Sequence, residues 1–171
     1  MRKLVTCLVG VGILVAVNVS IWQKEQLLDH GKIVLLPLAP VDPRSLMQGD
    51  YMRLRFQAEQ EMQRLLPKTK DSAVADGYAI VSLNEQQVGQ VQAVVSELPS
   101  IMAANQWPLQ YRIRASELRF ATNAFFFQEG HADDYAKARY GEFRVNDNGE
   151  MLLANLRGEQ LEVLGSQATI K

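Results

Sequence analysis

Residues 4–22 form a run of nineteen positions without a charged side chain, ending in Trp22. As a helix this run is about 28 Å long, enough to cross the hydrocarbon core of a bilayer. Residues 23–32 turn polar around Leu27 and Leu28, which predicts a helix that continues past the apolar zone until Gly31 stops it. Residues 33–38 are then a short apolar run closed by Pro40, the pattern of a buried strand rather than a helix. From Tyr51 onward the positions alternate: Met52, Leu54 and Phe56 share one face, while Tyr51, Arg53 and Arg55 share the other. Such alternation marks a half-buried strand.

A turn leads into that strand. Asp42 is placed to cap a short helical turn, and Pro43 suits its first position, where the missing N–H would have had no partner. Gly49 permits the reversal and Asp50 accepts backbone N–H groups. Arg44 then needs an acidic neighbour. Glu129 is the candidate, because Phe125, Phe126 and Phe127 draw the preceding chain into the core and leave this carboxylate at its rim.

Further along, residues 58–66 predict a helix ended by Pro67, with Met62, Leu65 and Leu66 as its apolar stripe. Residues 68–76 read as a polar loop. Residues 78–83 and 89–98 predict a hairpin, residues 109–115 and 118–127 a second one, and residues 131–140 a short helix. Residues 143–146 and 151–156 flank a turn at 147–150 and make a final hairpin, followed by a weaker strand at 161–164. Turn signals near every ten residues favour antiparallel pairing, since parallel strands need longer crossovers. The expected fold is mainly antiparallel β with one or two short helices (α+β), a small barrel or two-layer sheet, preceded by one N-terminal transmembrane helix. The expected divisions are an anchor at 1–22, a membrane-proximal stem at 23–36, the β-rich domain at 37–165 and a tail at 166–171.

Charge narrows the function classes. The chain carries 18 basic and 19 acidic side chains, and the basic ones outside Arg2 and Lys3 are scattered, so a nucleic-acid partner is not expected. The single cysteine, Cys7, lies in the apolar segment, which excludes an internal disulfide and a cysteine metal site. Small residues suited to signal-peptide cleavage are poorly placed around Ala16 and Asn18, so the apolar helix reads as an uncleaved anchor. Arg2 and Lys3 then stay in the cytoplasm by the positive-inside bias, and the domain is exported. Gly12, Ala16 and Ser20 recur every fourth residue and give the anchor a ridge of small side chains.

Candidate chemistry is sparse. Tyr51, Arg53 and Arg55, joined by Arg112 and Arg114 from another strand, offer a face of guanidinium groups suited to carboxylate or phosphate. Solvated strand faces ordinarily carry Arg as well. Glu129, His131, Asp133 and Asp134 are metal-ligating types, but their spacing is generic and acidic residues suit the first turn of a helix without any ion. His30 stands beside a helix-ending glycine. Neither a metal nor a cofactor is therefore expected. A membrane hydrolase built on Ser45 would need a base, and Lys68 and Lys70 sit in a polar stretch where nothing depresses their pKa.

Gly49, Asp50, Tyr51, Met52, Arg53, Leu54, Arg55 and Phe56 resemble the motif of the GDYXXLXY family, with Phe56 where the last letter is tyrosine. That departure keeps the ring and drops a hydroxyl. The resemblance extends through Glu25, Gly31, Val34 to Leu36 and residues 40–44, and forward through residues 125–130 and 147–149, covering roughly 25–164. It implies a bacterial membrane-anchored protein, of a family without an assigned activity, whose members stand beside multi-pass membrane proteins. The expectation is a non-enzymatic single-pass protein of the bacterial inner membrane, its amino terminus cytoplasmic and its domain periplasmic, serving as a binding or accessory module for a multi-pass partner. The alternatives are a membrane-bound hydrolase and a binder of a small anionic ligand through the Arg face.

Overall fold

Helix α1 (Arg2–His30) runs without a break through the apolar segment and the polar turns above it, and Gly31 ends it. The computed structural model describes residues 2–39, 47–48, 51–66, 74–114, 117–122 and 124–165. The portion Leu8–His30 is long and apolar enough to cross a membrane, and its most apolar stretch of eighteen residues is unburied. Its large side chains, among them Leu8, Leu14, Ile21 and Trp22, are exposed. Among the described residues that greasy surface has no partner.

Strand β1 (Lys32–Pro37) starts one residue after the helix and pairs antiparallel along its whole length with β9 (Tyr140–Val145), which pairs in turn with β10 (Met151–Arg157). The buried strand expected at residues 33–38 is thus present at Lys32–Pro37, so residues 32–36, counted with the stem, belong to a sheet. A second sheet orders β2 (Met47–Gln48), β3 (Tyr51–Arg53) and β8 (Ala124–Phe126). The third orders β5 (Gly89–Val95), β4 (Val74–Leu83), β6 (Gln106–Arg114) and β7 (Glu117–Arg119). Every named strand pair is antiparallel. The sheets are open, which favours the layered alternative over a closed barrel. Among the described residues two short helices complete the fold, α2 (Gln57–Leu65) and α3 (Ala132–Tyr135).

The inner faces share one core. Val34 and Leu36 of β1, Met52, Leu54 and Phe56, Leu109, Tyr111 and Ile113 of β6, and Phe143 of β9 all belong to it. The alternation from Met52 to Phe56 persists in burial although regular pairing ends at Arg53, because Phe56 bridges to Leu38 and is seated against Phe143 and Phe120 at ring-centroid distances of 5.3 and 6.1 Å. Phe56 is 1% exposed, a place where a ring without a hydroxyl leaves no polar atom to satisfy. Helix α2 contributes Ala58 and Met62 and turns its glutamines outward.

Three boundaries differ from the sequence reading. β4 begins at Val74, inside the supposed polar loop, because Asp76 sits on the outer face and meets Arg114 there. β6 begins at Gln106 and runs through Pro108, which is tolerated because β7 pairs with β6 only from Arg112 to Arg114 and leaves the other edge open at the proline. The predicted helix over 131–140 is four residues long, since Tyr140 already belongs to β9. The last turn agrees with expectation: the Asn146 side-chain carbonyl accepts N–H bonds from Asn148 and Glu150, and Gly149 takes the positive φ of 79° that the reversal requires.

Candidate functional site

Tyr51, Arg53 and Arg55 line a groove of about 920 Å³, with Leu54 and Phe56 behind them. Its other wall is the chain from Leu118 to Ala121, including Arg119, and helix α2 closes one side with Glu59, Gln60 and Gln63. Strand alternation explains the near wall. Met52, Leu54 and Phe56 are buried, so the intervening arginines must face out. Arg53 and Arg55 are exposed and make no ion pair among the described residues. Beside them Tyr51 stands opposite Phe126 in the sheet register, the rings 5.9 Å apart, and Phe126 is 75% exposed. Of the three phenylalanines expected in the core, this one points to solvent, because β8 alternates like any strand.

Arg112 and Arg114 are not in this groove. They occupy the outer face of the third sheet, where Asp76, Arg112 and Arg119 stand in register across β4, β6 and β7. Arg114 grips Asp76 with two guanidinium nitrogens, at 2.7 and 3.1 Å. That bond, aided by the charges of Arg114 and Arg112, holds the Asp76 carboxyl below its ordinary pKa and raises that of Arg114. Burial, together with the nearby Asp76 charge, pushes the Tyr111 hydroxyl up. The five-residue face predicted from sequence therefore divides: three members line the groove, and Arg112 meets it only through its neighbour Arg119. Arg119 escaped the sequence reading because a three-residue strand after a turn carries too little alternation to orient its side chains.

Other predicted residues fall elsewhere. Asp42, Pro43, Arg44, Gly49 and Asp50 lie outside the described residues, as do Ser45, Lys68 and Lys70. Glu129 is exposed in the turn before α3 and bonds to no described side chain. His131 Nδ1 is 2.7 Å from Asp134 Oδ2, a local bond across one turn of chain. His30 lines a second cleft of about 680 Å³, between the end of α1 and the β9–β10 turn, together with Trp22, Gln26, Trp107 and Asp147.

The helix end is gripped. Leu27 is 6% exposed, Lys24 pairs with Glu150, and Gly31 lies so close to Arg144 that an added methyl would stand 3.0 Å from its Cβ. Beneath this contact is a buried charge that sequence pattern alone did not single out. Glu142 is 1% exposed; its Oε2 accepts a 2.6 Å bond from Arg157 Nε, and its Oε1 is 3.6 Å from Arg144 Nε, an ion pair too long for a hydrogen bond. Arg144 also reaches the Gly31 carbonyl at 3.4 Å, and Arg157 the Leu161 carbonyl at 2.6 Å. One carboxylate thus ties the helix exit to the closing loop of the domain.

Fold and site together define a class: an antiparallel β domain fastened without a linker to one long apolar helix and carrying a groove walled by arginines. The chain belongs to the GDYXXLXY protein family, whose model matches residues 13–156 and so takes in the grip on the helix and both walls of the groove. No curated protein and no solved structure matches it.

Proposed function

We propose that the protein is a single-pass inner-membrane protein of bacteria whose exported domain is a docking module for a partner in the same membrane. The observation that carries this reading is the grip itself. Gly31 alone separates α1 from β1, and Leu27, Lys24 and Gly31 are all engaged by the β9–β10 hairpin, so the domain has little freedom to swing on its anchor. A tethered enzyme acting on free substrate gains nothing from such stiffness. A module that must present one face to a neighbour in the bilayer does, because the ordering cost of docking is already met.

The exposed apolar surface from Val5 to Trp22 supports retention in lipid, and Arg2 and Lys3 support a cytoplasmic amino terminus. In this orientation the domain is periplasmic. A second reading, a domain that holds an anionic ligand, has the groove in its favour, since Arg53 and Arg55 offer forked donors without carboxylate partners among the described residues.

Copurification of the full chain in mild detergent tests the docking reading. A multi-pass membrane protein is expected to stay bound, and a flexible Gly-Ser insert of about ten residues between His30 and Lys32 is expected to weaken its retention. Recovery of the chain alone, at native expression and low detergent, would overturn it.

A further inference from the structure

Three features of the groove narrow what it takes. Its volume, about 920 Å³, is far larger than one phosphate or carboxylate group and lies near the upper range for small-molecule pockets. Its two outward arginines stand at alternate positions, Arg53 and Arg55, roughly 7 Å apart along the chain. That is the spacing of alternate side chains on an extended peptide. Finally, an aromatic pair, half-buried Tyr51 with exposed Phe126, adjoins the arginines on the same sheet. Aromatic and arginine side chains together are the types on which protein interfaces concentrate their binding energy.

Position decides against the lipid surface. The β9–β10 turn lies beside Trp22 and Gln26, and β1 runs antiparallel to β9, so β1 leads away from the apolar part of α1. Six residues of strand carry the chain roughly 20 Å further. The groove attaches at that far end, where the Ala39 N–H bonds the Arg55 carbonyl and Leu38 bridges to Phe56. The groove therefore stands about a strand's length from the point where the domain holds α1.

We infer that the groove between β3, α2 and β7 binds an extended acidic segment of a partner protein, with carboxylates on alternate residues paired to Arg53 and Arg55 and an apolar side chain packed on Phe126. This inference rests on the docking reading for the identity of the partner but not for the chemistry of the groove. Gln60 and Gln63 line the α2 side and add neutral donors and acceptors for the peptide backbone.

The test uses the purified full chain in nanodiscs and a fluorescent eight-residue peptide with glutamate at every second position, read by anisotropy. Binding is expected to be saturable, to weaken with salt, and to fall about tenfold or more in the Arg53→Gln, Arg55→Gln double variant. Phe126→Ala, a change at an exposed position, is expected to lower affinity for a peptide carrying a terminal leucine and to leave the melting temperature unmoved. Equal binding of the all-glutamine peptide, or unchanged affinity in a folded double variant, would overturn the inference. So would displacement of the peptide by equimolar pyrophosphate, which would make the groove a small-anion site. Peptide binding without any copurified partner would sink the docking reading and leave the groove's chemistry standing. A retained partner with no peptide binding would do the reverse.

Discussion

Arginines at the two ends of this domain lead different lives. In the sheet that holds the helix, Arg144 beside the helix exit and Arg157 from the far end of β10 converge on a carboxylate that is 1% exposed, and their remaining donors reach the backbone at Gly31 and Leu161. On the groove, Arg53 and Arg55 stand on an open wall and make no ion pair among the described residues, although Glu59 lines the same groove from α2. The same side chain serves architecture in one place and remains open to an outside anion in the other. What separates the cases is burial of the counter-charge: Glu142 faces the covered side of its sheet and must be paired, whereas nothing buried depends on Arg53 or Arg55.

Phe56 joins the two ends, and removing it is the strongest way to break the contrast. Its ring touches Phe143 on the helix-side sheet and Phe120 on the groove wall, and it is 1% exposed. Phe56→Ala is expected to cost about 3–5 kcal/mol, read as a lower denaturant midpoint. A cost under about 1 kcal/mol would mean that the two ends do not share a core.

Next in size is Glu142→Gln. The amide keeps the shape but leaves two guanidinium groups, each about a quarter exposed, without their shared charge. A loss of about 1–3 kcal/mol is expected, less than for a fully buried pair because water reaches both arginines. The magnitude distinguishes the two ends sharply: Arg53→Gln with Arg55→Gln is expected to change stability by no more than about 0.5 kcal/mol, since exposed side chains without ion pairs contribute little. A double variant that unfolds readily would show that the groove arginines are architectural after all.

Much of this contrast was legible in the sequence, but unevenly. The alternation of Met52, Leu54 and Phe56 with Arg53 and Arg55 gave the near wall, and Gly31 correctly marked the helix end, because both are local patterns. The pairing of β1 with β9 joins residues more than a hundred positions apart, and no local pattern records it. For the same reason Glu142 went unnoticed: a carboxylate between glycine and phenylalanine reads as a surface residue until β10 brings Arg157 beside it. The split of the Arg face has a similar origin. Arg112 and Arg114 alternate as regularly as Arg53 and Arg55, yet which sheet a strand joins is a tertiary choice.

The smallest effect concerns a third kind of arginine, intermediate between the two. Arg114 is paired, as Arg157 is, yet its partner Asp76 is exposed, as the groove is. The hydrogen bond from Arg114 lowers the Asp76 pKa in the folded state. A carboxyl with a depressed folded pKa stabilises the fold above its unfolded value, near 3.9, and loses that contribution as pH falls toward the folded value. The melting temperature of the protein is therefore expected to fall slightly more than that of Asp76→Asn between about pH 5 and pH 2, so the two curves converge at the acid end. Raised salt is expected to shrink the gap at neutral pH, because water and ions screen a pair this exposed. If the gap instead survives acid and salt, Asp76 acts through packing at the start of β4, and the exposed pair belongs with the buried one.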